Sequence, residues 1–262
     1  MTHSPAMDQA PLRSALITGA AKRIGRSLAV DLAARGWTVA VHYNTSESDA
    51  MAVCDQILQS GGRAKPVRAD LAVEADCADL LARANRAVGP IGCLINNASI
   101  FEKDSPETAT KESWESHMQI NLRAPFVLVQ RFVAQLPEGS AGNVINIIDQ
   151  RVWNLTGSFT SYTVSKAALW TLTRTLALAL APRIRVNAVG PGPTLPSLRQ
   201  SEEQFQRQWQ AVPLARRVDP GEICEAVRFI LDAPSMTGQM IALDGGQHLG
   251  WAPSGRTKAA DE

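Results

Sequence analysis

Ser14-Ala15-Leu16-Ile17-Thr18-Gly19-Ala20-Ala21-Lys22-Arg23-Ile24-Gly25 is the stretch on which the fold turns. The run Ser14–Thr18 is short and apolar, which predicts a strand, and the pattern from Arg23 to about Arg35 predicts a helix. Gly19 and Gly25, six positions apart, let the backbone between strand and helix approach a bound group closely. The positive N-terminal end of that helix suits an anion, and this strand–turn–helix order suits a dinucleotide pyrophosphate. A plain tight turn also contains glycine, so the rest of the chain has to decide.

The alternation continues along the whole sequence. Further strands are expected over Trp37–Tyr43, Ala64–Ala69, Cys93–Asn96, Asn143–Ile148, Arg185–Val189 and Met240–Leu243. Helices are expected over Ser46–Ser60, Val73–Val88, Trp114–Leu136, Ser161–Ala181 and Pro220–Leu231. Strands alternating with helices of this length imply βαβ units and a parallel sheet covered on both faces. The expectation is an α/β fold: one doubly wound Rossmann domain over residues 12–251 with a seven-stranded parallel sheet, and frayed ends at 1–11 and 252–262. There is no sequence repeat and no low-complexity segment.

The 262 residues carry a net charge of +1, with 45% hydrophobic and 19% charged residues. That composition is ordinary for a soluble globular protein and gives no reason to expect nucleic acid or a membrane surface as partner. The N-terminus lacks a basic region followed by an apolar stretch, so no signal peptide is expected. The longest apolar run, Ala177–Ala181, is far too short to cross a bilayer. These features predict a cytoplasmic protein. Cys54, Cys77, Cys93 and Cys224 are scattered, with no C-x-x-C pair and no His at metal spacing. They read as reduced, buried thiols, and no metal site is expected.

The end of the second strand separates the two nicotinamide cofactors. An NAD site places an acid there for the ribose 2′-hydroxyl, whereas an NADP site lacks that acid and has a cation nearby. Here the strand ends His42-Tyr43-Asn44-Thr45-Ser46, with no acid until Glu47. Lys22 and Arg23 in the turn can face the extra phosphate, with His42 and Ser46 as further donors; the alternative is two solvated basic residues. NADPH is the expected cofactor. Asp70-Leu71 would then suit the adenine amino group, and Asn97-Ala98-Ser99 would wall the ribose side.

Tyr162 and Lys166 lie four apart, so on a helix they share one face, and Asp149 lies thirteen positions upstream. At about 4 Å and an effective dielectric near 20, a cation stabilises a phenolate by roughly 4 kcal/mol, about 3 pKa units as an upper estimate. That would make Tyr162 a workable proton donor or acceptor near neutral pH. A lone Y-x-x-x-K match is usually an ordinary helix surface.

Taken together, the motifs resemble the short-chain dehydrogenase/reductase family over about residues 12–250. They comprise the Thr18-Gly19 turn, Asp70, Asn96-Asn97-Ala98, Asn121, Tyr162 with Lys166, and Pro191-Gly192. The resemblance implies that Tyr162 is the acid/base and that Lys166 binds the nicotinamide ribose and lowers the Tyr pKa. It also implies that Asn121 holds a relay water and that the Pro191-Gly192 loop contacts the nicotinamide. Two departures matter. Arg23 replaces the usual third glycine, and Asp149 stands where most members have a serine. A carboxylate repels developing oxyanion charge, so Asp149 suits a nitrogen heterocycle better than a plain ketone.

Both departures resemble the pteridine reductases, as do His42-Tyr43, Asn96 to Ser99 with Phe101, and the set Asp149, Tyr162 and Lys166. That resemblance implies that Phe101 stacks on one face of a pterin, with nicotinamide on the other, and that Ser99 and Arg23 reach the polar edge of the ring and the cofactor phosphate. A lone loop Phe is otherwise a packing residue. The expected reaction is hydride transfer from NADPH to a dihydropterin, with Asp149, Tyr162 and Lys166 as the proton route.

Two rivals stand beside this reading. One is an NADPH-dependent reductase of ketones or acyl-carrier thioesters, which would be expected to keep Ser at position 149. The other is a non-catalytic, cofactor-sensing protein, which would be expected to lose Tyr or Lys. Residues 193–213 are either a lid over the substrate or an ordinary surface loop and helix. A homotetramer is implied by the family resemblance alone.

Overall fold

The computed structural model describes residues 12–197 and 199–250; the expected frayed ends lie outside them. Seven strands form one parallel sheet in the order β3-β2-β1-β4-β5-β6-β7. They are β1 Ser14–Ile17, β2 Thr38–Tyr43, β3 Arg63–Arg68, β4 Cys93–Asn96, β5 Gly142–Ile147, β6 Ile184–Pro191 and β7 Met240–Leu243. The helices are α1 Arg23–Ala34, α2 Glu47–Gln59, α3 Glu74–Val88, α4 Lys111–Met118, α5 Ala124–Gln135, α6 Thr160–Leu180, α7 Glu202–Gln210 and α8 Pro220–Asp232.

The central strands are buried and mostly apolar because helices cover both faces. One core packs α1, α2 and α8 against the sheet through Leu28, Leu32, Val53, Ile57, Ile223 and Val227. The opposite core uses Leu80 and Leu81 of α3, Leu128 and Phe132 of α5, and Leu176 and Ala177 of α6. β3 pairs only with β2, so it is an edge. It carries Pro66 and exposes Arg63, Lys65 and Arg68, the residues that blunt an edge against pairing with another chain.

The helix expected over Trp114–Leu136 is one helical run with a change of winding in it. Gln119–Arg123 is a π segment between α4 and α5, with Asn121 fully buried inside it. Such segments insert an extra residue and re-aim a side chain. The stretch 193–213 contains α7, started by a capping box in which Ser201 and Gln204 satisfy each other's backbone N–H groups.

The sheet order reverses between β1, which continues to β2, and β4, which continues to β5. Ligand crevices in doubly wound folds open at the carboxyl ends of strands at that reversal. A polar ladder fixes α6 beside it: Asn96 donates to Asn146 at 2.8 Å, and Asn146 donates to Thr173 of α6 at 2.8 Å.

Candidate active site

The turn after β1 is held from both sides. Thr18 Oγ1 accepts the N–H groups of Asn97 and Ala98, each at 2.9 Å, and the Asn97 amide donates to the Thr18 carbonyl at 2.8 Å. Gly19 sits at φ +63°, a conformation that favours glycine. A Cβ on Gly25 would lie 2.3 Å from the Gly19 carbonyl and 2.6 Å from the Asn97 amide, so only glycine lets α1 begin this close to the strand. Arg23 keeps a left-handed backbone, φ 53°, at the position where the family usually has glycine. These features fit a pyrophosphate: a backbone cradle that a side chain would fill, a helix N-terminus, and two cations.

A cavity of about 440 Å³ opens from this turn across the carboxyl ends of β4, β5 and β6. It brings together Gly19, Lys22, Arg23, Ile24, Gly25, Asn97, Ala98, Ser99, Phe101, Asp149, Tyr162, Lys166, Pro191 and Gly192 of the expected residues. Seven others are not among its lining residues: His42, Tyr43, Asn44, Ser46, Asp70, Leu71 and Asn121.

On the cavity floor, the Tyr162 hydroxyl donates to Asp149 Oδ2 at 2.9 Å. The other Asp149 oxygen accepts the Arg151 N–H at 2.7 Å, which fixes the carboxylate. Lys166, one helical turn on from Tyr162, has its ammonium 5.8 Å from the phenol ring centre and donates to the Ile147 carbonyl at 2.9 Å. Burial lowers the Lys166 pKa to about 8, partly opposed by Asp149. Phe101 lies parallel to Phe159 with ring centres 4.3 Å apart, and edge-on to Tyr162 at 4.7 Å. The Arg151 guanidinium lies 5.1 Å from the Phe159 ring centre.

Several expected residues have specific placements. Lys22 pairs with Asp49 at 3.0 Å on the surface. Arg23 donates to the Pro196 carbonyl at 2.7 Å and the Leu195 carbonyl at 3.2 Å, so it bridges the cofactor turn to the segment before α7. His42, expected as a phosphate donor, is corrected. Its Nδ1 accepts the Gly19 N–H at 3.0 Å, its Nε2 faces the Ala69 carbonyl at 3.1 Å, and it is 2% exposed. Burial lowers its pKa to about 4, so the ring is a neutral brace beneath the turn. The Tyr43 hydroxyl donates to Glu47, Ser46 is the residue before α2, and the Asn44 carbonyl accepts from Arg68. Asp70 accepts the Ala72 N–H, and Leu71 is buried. Asn121 accepts the Ile100 N–H at 2.9 Å and donates to the Ile100 carbonyl and the Ser165 hydroxyl, clasping the loop after β4 to α6.

Sequence reasoning missed Arg151, Gln150, Gln200, Phe205 and Gln247, which line the cavity, and Phe159, which stacks on the lining residue Phe101. Arg151 had a signal, being two residues beyond Asp149; Phe159 had none, because its φ of 62° is a property of the folded turn.

A family model for short chain dehydrogenase matches residues 13–207. The chain is a member of the short-chain dehydrogenase/reductase family. Among short-chain dehydrogenases/reductases of known structure, FolM alternative dihydrofolate reductase 1 from Brucella canis, complexed with NADP, is 47% identical with a TM-score of 0.91. That match covers 95% of this chain and 100% of the other. The Brucella suis protein of the same description, also with NADP, is 48% identical with a TM-score of 0.89, covering 92% and 97%. The 3-oxoacyl-[acyl-carrier-protein] reductase FabG of Staphylococcus epidermidis is 30% identical over 247 residues, covering 90% of this chain and 99% of that protein.

Proposed function

We propose that the protein is an NADPH-dependent reductase that converts a 7,8-dihydropterin, free or carried as dihydrofolate, to its tetrahydro form. The observation that carries this reading is the Tyr162 hydroxyl donating to a carboxylate, Asp149, at 2.9 Å beneath the Phe101 wall. The likeness to the two FolM proteins supports it. Asp149 supports it over ketone reduction, because a carboxylate disfavours a developing oxyanion but can accept from, or relay a proton to, a ring nitrogen.

NADPH, when bound, supplies the hydride for an imine-like carbon of the ring. The turn at Gly19–Gly25 with Lys22 and Arg23 would hold its phosphates, and Pro191-Gly192 would border its nicotinamide. Tyr162 gives its proton to the ring nitrogen next to the reduced carbon, and Asp149 and Lys166 hold and replenish that proton. Phe101 keeps the flat substrate in register and excludes water. We propose, from the family resemblance, that the protein acts as a cytoplasmic homotetramer. No helix among the described residues is long and apolar enough to cross a membrane.

The second reading, an NADPH-dependent ketone or 3-oxoacyl-thioester reductase, is favoured by the FabG relatives. A panel of dihydropterins, dihydrofolate and β-keto esters, followed by NADPH oxidation, separates the two. Turnover of β-keto esters alone would overturn the pterin reading. Tyr162→Phe should lower kcat by about 10²-fold or more without weakening NADPH binding. Asp149→Ser should lose pterin turnover while still binding NADPH.

A further inference from the structure

Asp104 is a buried carboxylate, 4% exposed, in the loop that follows β4. One oxygen, Oδ1, accepts the Ser161 N–H at 3.1 Å, and Oδ2 accepts the Ser113 hydroxyl at 3.2 Å. Its main-chain carbonyl accepts the Phe159 N–H at 2.8 Å. The start of α6 needs those acceptors. The residue before the helix, Phe159, is left-handed and offers no side-chain cap, while the first N–H groups of any helix lack partners within it. Asp104 therefore caps α6 from a segment 57 residues away. The next residue after Ser161 is Tyr162.

The same loop is pinned at every second position. Asn121 holds both main-chain groups of Ile100. His117, fully buried on α4, accepts the Glu102 N–H at 3.2 Å through Nε2, and its Nδ1 bonds the Ser113 carbonyl at 2.8 Å. Asp104 is the third pin. Phe101 lies between the first two and meets Tyr162 edge-on at 4.7 Å.

We propose that Asp104 is a positioning residue for the reaction: by capping α6 from the β4 loop, it sets the Tyr162 phenol and the Phe101 wall at one fixed separation. The cap joins the element that carries the proton donor to the loop that carries the substrate wall. A displacement of about 1 Å between such groups is enough to cost much of the rate.

The test compares Asp104→Ala, which removes the acceptor, with Asp104→Asn, which keeps one in the same place. In the alanine variant, kcat should fall about tenfold or more and KM for the reducible substrate should rise. The NADPH Kd should stay within about twofold, because the turn at Gly19–Gly25 is untouched. The asparagine variant should recover most of the loss. A folded alanine variant with wild-type kcat and KM overturns the proposal, and so does an asparagine variant as impaired as alanine. Should the alanine variant not fold, Asp104→Glu keeps charge and acceptor but shifts the cap by one methylene. Reduced kcat with normal NADPH binding is then expected, and wild-type kcat overturns the proposal. This inference rests on Tyr162 as the proton donor of the proposed reaction. The measurement uses a dihydropterin if the wild-type protein reduces one, and otherwise the ketone substrate it does reduce. Absent wild-type pterin turnover thus sinks the pterin reading and leaves the Asp104 test intact.

Discussion

Lys166 sits in surroundings that oppose its charge. It is 3% exposed, and its pKa falls from 10.5 to about 8 on folding. Between those values the unfolded chain binds more protons than the folded one, so stability rises with pH across that window. Below about pH 8 the buried charge costs up to about 3 kcal/mol in the cofactor-free protein. Lys166→Met should therefore raise thermal stability at neutral pH while abolishing turnover. The gap to wild type should close as pH rises from about 8 towards 10.5, which a series of thermal melts would check. An equal stability gap at both ends of that range would contradict the buried-charge account. His42 shows the same linkage at lower pH. Its pKa is lowered from 6.5 to about 4. The stability its neutral ring contributes is fully present above pH 6.5 and lost as pH falls towards 4, again up to about 3 kcal/mol. His42→Gln should flatten the acid limb of the stability profile.

At the scale of elements, the turn between β1 and α1 is the tightest joint of the site. Gly25→Ala would drive a methyl into the Gly19 carbonyl and the Asn97 amide. NADPH affinity should drop more than about tenfold in fluorescence titrations, since cradle and helix start cannot both keep their places. This joint was legible in the sequence, and so was the sheet, because each strand is a short apolar run and each helix carries an apolar stripe. Other parts were hidden for identifiable reasons. The π segment at Gln119–Arg123 was missed because the helical pattern runs through it unbroken. The polar stretch of α7 carries little apolar periodicity, although Ser201 and Gln204 spell a capping box. The acid-free end of the second strand makes His42 look like a phosphate donor; the backbone N–H of Gly19 and the carbonyl of Ala69 claim its ring instead. The cap from Asp104 had no local signal, since its partner lies on a distant helix.

At the scale of the molecule, a broad, largely apolar groove lies open among the described residues. A groove of about 900 Å³ on α4, the π segment and α5 is lined by Trp114, Met118, Leu122 and Phe126, and Trp114 is 40% exposed. The proposed homotetramer would have reason to cover such a face. Light scattering should return the mass of four chains, and Trp114→Glu should lower it; a wild-type monomer would remove that part of the proposal. The net charge of +1 gives the protein little overall attraction for anionic substrates. Selection between a pterin and a keto ester therefore falls to the cavity itself.

Arg23 belongs to the phosphate turn by position, yet its guanidinium grips the Leu195 and Pro196 carbonyls. A nucleotide phosphate that recruits this cation would compete with those two carbonyls, and Leu195 lines the pocket. If coenzyme docking draws Arg23 off those carbonyls and frees the segment, a compulsory-order scheme with the coenzyme leading is expected. Initial-rate patterns with a dead-end analogue of either reactant would expose that hierarchy.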